Sequence, residues 1–206
     1  MIEGIHWIGH ASFRIEQGGK VIYLDPWKVK QAKPADLILV THGHHDHLST
    51  EDIARIAKAD TVIVIAAPYA NQVKGDVRPI MAGQTITIGD ITIEAVPSYN
   101  TNKPNHPRTA GNVGFILEVG GRRIYHAGDT DLIPEMSAFR CDVALLPIGG
   151  KYTMDAKEAV EAVGRIKPKV AIPMHWGEIV GTAKDAEYFR EHMPEGVQAV
   201  ILEPEG

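Results

Sequence analysis

The chain has 206 residues, 44% of them hydrophobic and 23% charged, with a formal net charge of -5. That length holds one ordinary domain with a full hydrophobic core, and the composition excludes disordered, collagenous and disulfide-stapled chains. A net negative charge argues against a nucleic-acid backbone as the main ligand, because that ligand recruits basic faces.

Cys141 is the sole cysteine, so no intrachain disulfide can form, as suits a reducing compartment. The opening "MIEGIHWIGHASF" has neither a basic leader nor a continuous apolar stretch, and no apolar run is long enough to span a bilayer. The expected location is the cytoplasm.

In chain order, "SFRIE" alternates from Ser12 to Glu16, and Gly18-Gly19 turns the chain into "KVIYLD", a hairpin signature. "DLILV", residues 36–40, is a short apolar run that reads as a buried strand. Next, "STEDIARIAKA" starts a helix, with Ser49 and Asp52 as a capping box and Ile53 and Ile56 on one face. "TVIVIAA" is another buried strand, and residues 84–97 form two alternating strands around Gly89-Asp90. Residues 98–112, rich in Asn, Pro, Thr and Gly, form a long loop of the kind that is usually functional. "VGFILEVGGRRIYHAGD" is a further hairpin, "CDVALLPIGG" a strand and turn, and "DAKEAVEAVGRI" a helix. "KVAIPMHWG" is a strand running into a loop, "DAEYFREHM" a helix and "VQAVIL" a last strand. The rhythm is mixed α/β in a single domain, residues 1–206, and two mixed sheets with outer helices accommodate it.

The chemistry concentrates in "VTHGHHDHLS", residues 40–49, where four histidines and an aspartate crowd into six positions. If the chain leaves its strand still extended, His42, His44 and Asp46 project to one side and His45 to the other. His47 rejoins the group if the chain turns toward the helix near Ser49. Gly43 permits a close bend. Imidazole and carboxylate are donors for Zn²⁺ and related first-row ions. An expression tag would sit at a terminus and carry no interleaved Gly and Asp.

At this point the sequence resembles the metallo-β-lactamase superfamily. "HGHHDH" matches its HxHxDH signature, "YHAGDTD" resembles its GDT segment, and "AIPMHWG" resembles its late histidine strand. A narrower likeness, carried by "GHASFRI", "LDPW" and "LLPIGGKYTMD", is to small single-domain metal-dependent hydrolases, related to the branch with a sugar-phosphate lactonase and a phospholipase D. The resemblance implies a four-layer αββα sandwich with its site along one edge of both sheets. It implies two divalent metal ions, Zn²⁺ foremost with Mn²⁺ or Fe²⁺ also allowed by the donors. His42, His44 and His106 then hold one ion, Asp46, His47 and His175 the other, and Asp129 bridges. The superfamily usually places a histidine shortly after the strand ending here at Pro97. This chain has Ser98, Tyr99 and Asn100 there, so His106 takes the role, with Asn100 or a missing arm as the alternatives.

The implied reaction is attack of a metal-activated hydroxide on an ester, lactone or phosphodiester, with Asp46 orienting it and moving its proton. The implied substrate is a small molecule or a lipid or sugar phosphate, and a homo-oligomer is compatible. His10, Lys151 and Tyr152 are the candidate substrate contacts, although a hydrogen-bonded turn and surface exposure explain His10 and Lys151 equally well. Asp25 and His126 are placed near the site or in structural bonds, while His6 and His192 read as structural or surface residues. Trp7, Trp27 and Trp176 wall the pocket or pack the rim. Competing readings are a di-iron redox protein, a nuclease and a non-catalytic metal-binding member. Di-iron relatives have a carboxylate where this chain has His44, and superfamily nucleases usually carry an added nucleic-acid-gripping domain or arm.

Overall fold

Thirteen strands and three α-helices organise residues 1–205, the part described by this computed structural model. The first sheet runs in chain order: β1 (Ile5–Gly9), β2 (Ser12–Gln17), β3 (Lys20–Leu24), β4 (Ala35–Val40), β5 (Ala57–Ala66) and β6 (Asp76–Ile80). β1 to β3 pair antiparallel and β3 to β6 parallel. Gly18 and Gly19, at φ 61° and 74°, make the predicted tight turn between β2 and β3. The second sheet comprises β7 (Thr85–Ile88), β8 (Ile91–Pro97), β9 (Val113–Val119), β10 (Arg122–His126), β11 (Val143–Pro147), β12 (Val170–Met174) and β13 (Gln198–Ala199), in reverse order across the sheet. It repeats the plan of the first, antiparallel hairpins followed by parallel strands.

Strand alternation divides the apolar side chains between layers. Leu37 and Leu39 of β4 face inward and share one core with Phe13, Val64, Ile93, Phe115 and Leu117 from both sheets. Ile38 and Val40 face outward and pack with Ile53 and Ile56 of α1 (Thr50–Ile56). α2 (Ala156–Ile166) and α3 (Ala183–Glu191) contribute Ala159, Val163 and Phe189 to the core beside the second sheet. The result is the four-layer αββα sandwich of two mixed sheets. No helix among the described residues is long and apolar enough to cross a membrane.

The expected helix from Ser49 onward ends earlier than its sequence suggests. Ser49 caps it by accepting from Asp52 N, but α1 stops at Ile56 and β5 begins at once. Thr61 Oγ1 donates to Ala35 O at 2.5 Å and accepts from Lys58 N at 2.8 Å, so side chains draw residues 57–61 onto β4. β6, "DVRPI", carries charges and a proline, which disguise it as a non-strand; it lies at the sheet edge, where such residues are tolerated.

Candidate metal centre

The histidine segment does not stay extended beyond β4. His47 N and Leu48 N both donate to His44 O, at 3.0 and 2.8 Å, so residues 44–48 form a turn. This is the turn on which the return of His47 was expected to depend; it brings His47 back to His42, while the extended alternation expected through Asp46 is interrupted and the side chain of His45 is left 82% exposed. A Cβ at Gly43 would collide with the ring of Tyr69, so the close bend needs glycine there.

Every chemical residue follows the C-terminal end of a strand or lies in a loop beyond one. His10 follows β1, Asp25 β3, residues 42–47 β4, Asp129 β10 and His175 β12. His106 comes from the long loop after β8. His10, Asp25 and His175 hold left-handed backbone, at φ 51°, 45° and 59°. Non-glycine residues rarely adopt it, and such conformations cluster where a site over-determines the chain.

Three groups of donors form among the described residues. One, Asp25, His42 and His47, lies behind the rings and is knit by hydrogen bonds through Thr41; the other two meet at the site. His42, His44, His106 and Asp129 make the first of these two, and His10, Asp46, His47 and His175 the second. In the first, His44 Nδ1 lies 3.1 Å from His42 Nε2 and 3.2 Å from His106 Nε2, which is 3.3 Å from Asp129 Oδ2. Asp129 reaches the second group through Oδ2, 3.2 Å from His175 Nε2, and Oδ1, 3.2 Å from His47 Nε2. A tetrahedral ion with metal–nitrogen bonds of about 2.0–2.1 Å spaces its donors by roughly 3.3–3.4 Å, close to these separations.

The hydrogen bonds behind the rings say which nitrogens carry lone pairs. Thr41 Oγ1 donates to Asp25 Oδ2 at 2.6 Å and therefore accepts from His42 Nδ1 at 3.0 Å, leaving the His42 lone pair on Nε2. His106 Nδ1 faces two oxygens, Asn100 Oδ1 at 3.1 Å and Tyr152 O at 3.2 Å, so its lone pair is also on Nε2. Burial pushes both imidazoles down toward the neutral form. Lone pairs thus converge on one point, an arrangement that a cation relieves. His47 Nδ1 donates to Asp25 Oδ2 at 2.7 Å, and its Nε2 is turned into the site. Although only 3.2 Å from Asp129 oxygens, His47 Nε2 and His175 Nε2 make no aligned hydrogen bond, and neither does Asp129 Oδ1; all three are buried, which costs free energy unless a ligand is bound. The residues therefore fit divalent cations.

The charges agree. Burial alone would raise the Asp129 carboxyl, but the adjoining His175 and His47 imidazoles hold it well below the usual carboxylate range. Burial opposes protonation of His47, yet Asp129 and Asp25 hold it well above the ordinary histidine value. Asp46 is likewise lowered, burial being outweighed by His10 and His47.

An open cavity of about 300 Å³ leads to this chemistry, walled by His44, His45, Asp46, Asn105, His106, Asp129, Tyr152, His175 and Ile179. Tyr152 stands in the wall, whereas Lys151 is exposed, its Nζ 5.0 Å above the Tyr152 ring. His10 is fully buried behind Asp46 and is not part of that wall. Asn100 lies behind His106 and holds it, accepting from its N at 2.9 Å. His126 is structural: its Nε2 donates to Ala11 O at 2.7 Å and its Nδ1 accepts from Gly128 N. Sequence reasoning gave Thr41 no role, and nothing local marks Asn105 or Ile179 as cavity residues. Trp7 and Trp176 stack on each other, ring centroids 5.1 Å apart, beside a separate recess.

Comparison with known proteins agrees with this geometry. The β-lactamase superfamily domain pattern matches residues 4–175. A UPF0173 metal-dependent hydrolase of Thermococcus kodakarensis is 36% identical, over 97% of this chain and 96% of its own. Its counterpart from Thermoplasma acidophilum is 41% identical over 90% and 88%. A crystal structure of a candidate metal-dependent hydrolase from Parabacteroides distasonis superposes with TM-score 0.88 at 33% identity, covering 98% of this chain and 93% of that one. Igni18, a metallo hydrolase from Ignicoccus hospitalis, gives 0.80 at 25% identity, covering 98% and 95%. With the fold, the strand-end donors and near full-length likeness in agreement, this chain belongs to the β-lactamase superfamily and, within it, to the UPF0173 metal-dependent hydrolases.

Proposed function

We propose that the protein is a dinuclear metal hydrolase that cleaves an ester, lactone or phosphodiester bond in a small molecule. The observation carrying this reading is the convergence of buried, unpartnered donors from both sheets on Asp129. His42, His44 and His106 would hold one ion, Asp46, His47 and His175 the other, and Asp129 would touch both. Zn²⁺ fits best, and Mn²⁺ and Fe²⁺ are compatible with the same donors. Such ions supply water activated at neutral pH and a Lewis acid for the substrate oxygen.

The chain's own residues do the rest. Asp46 faces the cavity as an ionised carboxylate with Oδ2 engaged by His10, so Oδ1 is its freer acceptor for orienting a nucleophile. Tyr152, Asn105 and Ile179 present a mixed polar and apolar wall for the non-reacting part of a substrate. Lys151, beside Tyr152, is within reach of a substrate anion extending outward.

The test is elemental analysis combined with a panel of lactones, phosphodiesters and thioesters. Two ions per chain and turnover abolished by chelation are expected. Activity that survives exhaustive chelation, or no turnover of any panel member with two ions bound, would overturn the reading.

A further inference from the structure

His10 is the residue whose place the donor geometry leaves unexplained. It stands with Asp46, His47 and His175 as a possible fourth donor of the second group. Ring spacing decides whether it acts as one. Imidazoles sharing one tetrahedral ion at a bond length of about 2.0–2.1 Å have centroids roughly 5 Å apart. The first group obeys this, with centroids 4.7, 5.0 and 5.1 Å apart for His42–His44, His44–His106 and His42–His106. His47 and His175 are 5.7 Å apart, which is also compatible. His10 and His47, at 5.8 Å, would pass, but His10 and His175 lie only 3.8 Å apart, tilted by 41°. Rings that close pack against each other at a tilt and are nearer than two vertices of one tetrahedron allow, so His10 lies behind His175, not beside it around a common ion.

What His10 does touch is specific. Its Nε2 is 3.1 Å from Asp46 Oδ2. Its carbonyl accepts from Trp7 Nε1 at 2.9 Å and from His175 N at 2.8 Å, and its ring meets the edge of Trp27. Two left-handed residues, one after a strand of each sheet, are thereby locked together by backbone and ring. The ring's Nδ1 is buried without a partner, so Nε2 is its engaged nitrogen, and that N–H is directed at the Asp46 carboxylate, whose rotation it fixes.

We propose that His10 is a positioning residue, not a metal ligand or a substrate contact: its Nε2–H holds Asp46 Oδ2, the oxygen that also lies 3.9 Å from His47 Nε2, and so fixes the rotation of the carboxylate at the second donor group. This rests on the two-ion reading above. It replaces the expectation that His10 meets substrate, because the ring is sealed from solvent.

The test titrates metal-free protein with Co²⁺, following visible absorption for each equivalent, in wild type, His10→Phe and His10→Gln. The phenylalanine keeps the stacked ring and removes the donor, whereas the glutamine supplies an amide N–H without an imidazole. Thermal melting verifies folding, and His10→Asn, with an amide too short to reach Asp46, replaces His10→Phe if the larger ring is not accommodated. The expected result is a second equivalent weakened about 10–100-fold in His10→Phe, the usual effect of losing an outer hydrogen bond to a ligand. The first equivalent stays unchanged, and His10→Gln recovers to within about 3-fold with the wild-type absorption bands. Loss of the second equivalent in His10→Gln, with altered bands, would make His10 a ligand and overturn the proposal. Wild-type binding in His10→Phe would reduce His10 to packing and overturn it too. A wild-type protein binding one equivalent would end the two-ion reading itself, whereas two bound ions without turnover would leave the role of His10 standing.

Discussion

Asp25 shows how much of the site's order lies one layer behind the donors. Its Oδ1 accepts from Thr41 N at 2.7 Å, and its Oδ2 accepts from Thr41 Oγ1 at 2.6 Å and His47 Nδ1 at 2.7 Å. All three partners donate, and only a carboxylate offers acceptors on both sides. Asp25→Asn turns one side into an N–H facing an N–H or O–H. We expect it to weaken cation binding about 10–100-fold, read by isothermal titration with Zn²⁺, because His47 loses its fixed orientation. Metal-free stability should fall as well, by about 1–3 kcal/mol, since a buried donor is left unsatisfied. Unchanged affinity would show that the turn at residues 44–48 orients His47 without help.

The turn leads directly into α1, whose first residues serve a neighbouring loop. Asp52 accepts from Lys28 N at 2.9 Å, Val29 N at 3.1 Å and Arg55 at 2.6 Å. Burial works against its charge, but Arg55, Ser49 and the two backbone donors prevail and hold the carboxyl below its ordinary value. A depressed carboxyl stabilises the fold fully above the unfolded value of about 3.9, and this contribution disappears as pH falls through the lower folded value. Asp52→Asn should therefore lower stability by about 1–3 kcal/mol at neutral pH, in urea unfolding, with the gap closing in acid. A gap that stays constant down to pH 2 would mean that the carboxylate charge plays no part. The same short helix explains the misplaced boundary noted above: its propensity continues past Ile56, but pairing with β4 captures the chain.

Connections between the sheets also act far from the site. Arg14, on β2, is 2% exposed and binds Glu16 at 2.8 Å and Glu205 at 2.6 and 2.8 Å. Glu205 N also donates to Trp7 O at 2.8 Å, so the segment after β13 crosses from the second sheet to β1. A buried guanidinium that loses its fork is poorly compensated by one remaining carboxylate. Glu205→Ala should cost about 1.5–3 kcal/mol, the range for hydrogen bonds to charged groups. Replacing both Arg14 and Glu205 by methionine should cost less than the single change, because no charge is left unpaired. Equal urea midpoints for Glu205→Ala and wild type would show that this crossing segment contributes nothing.

Local pattern was sufficient for much of this protein. Glycine-centred hairpins, buried strands before loops and capped helices are written in short windows, and the strands and α2 follow those windows closely. The histidine segment announced cation chemistry because no bland role suits so many imidazoles together. Asp129 and His175 were legible only through resemblance, since one aspartate or histidine after a strand looks like any other. Long-range packing settled the remainder: the reach of His106 across the loop after β8, and the left-handed pair His10 and His175. These depend on which strand ends meet, and strand ends more than a hundred residues apart meet only after two sheets have buried a common core.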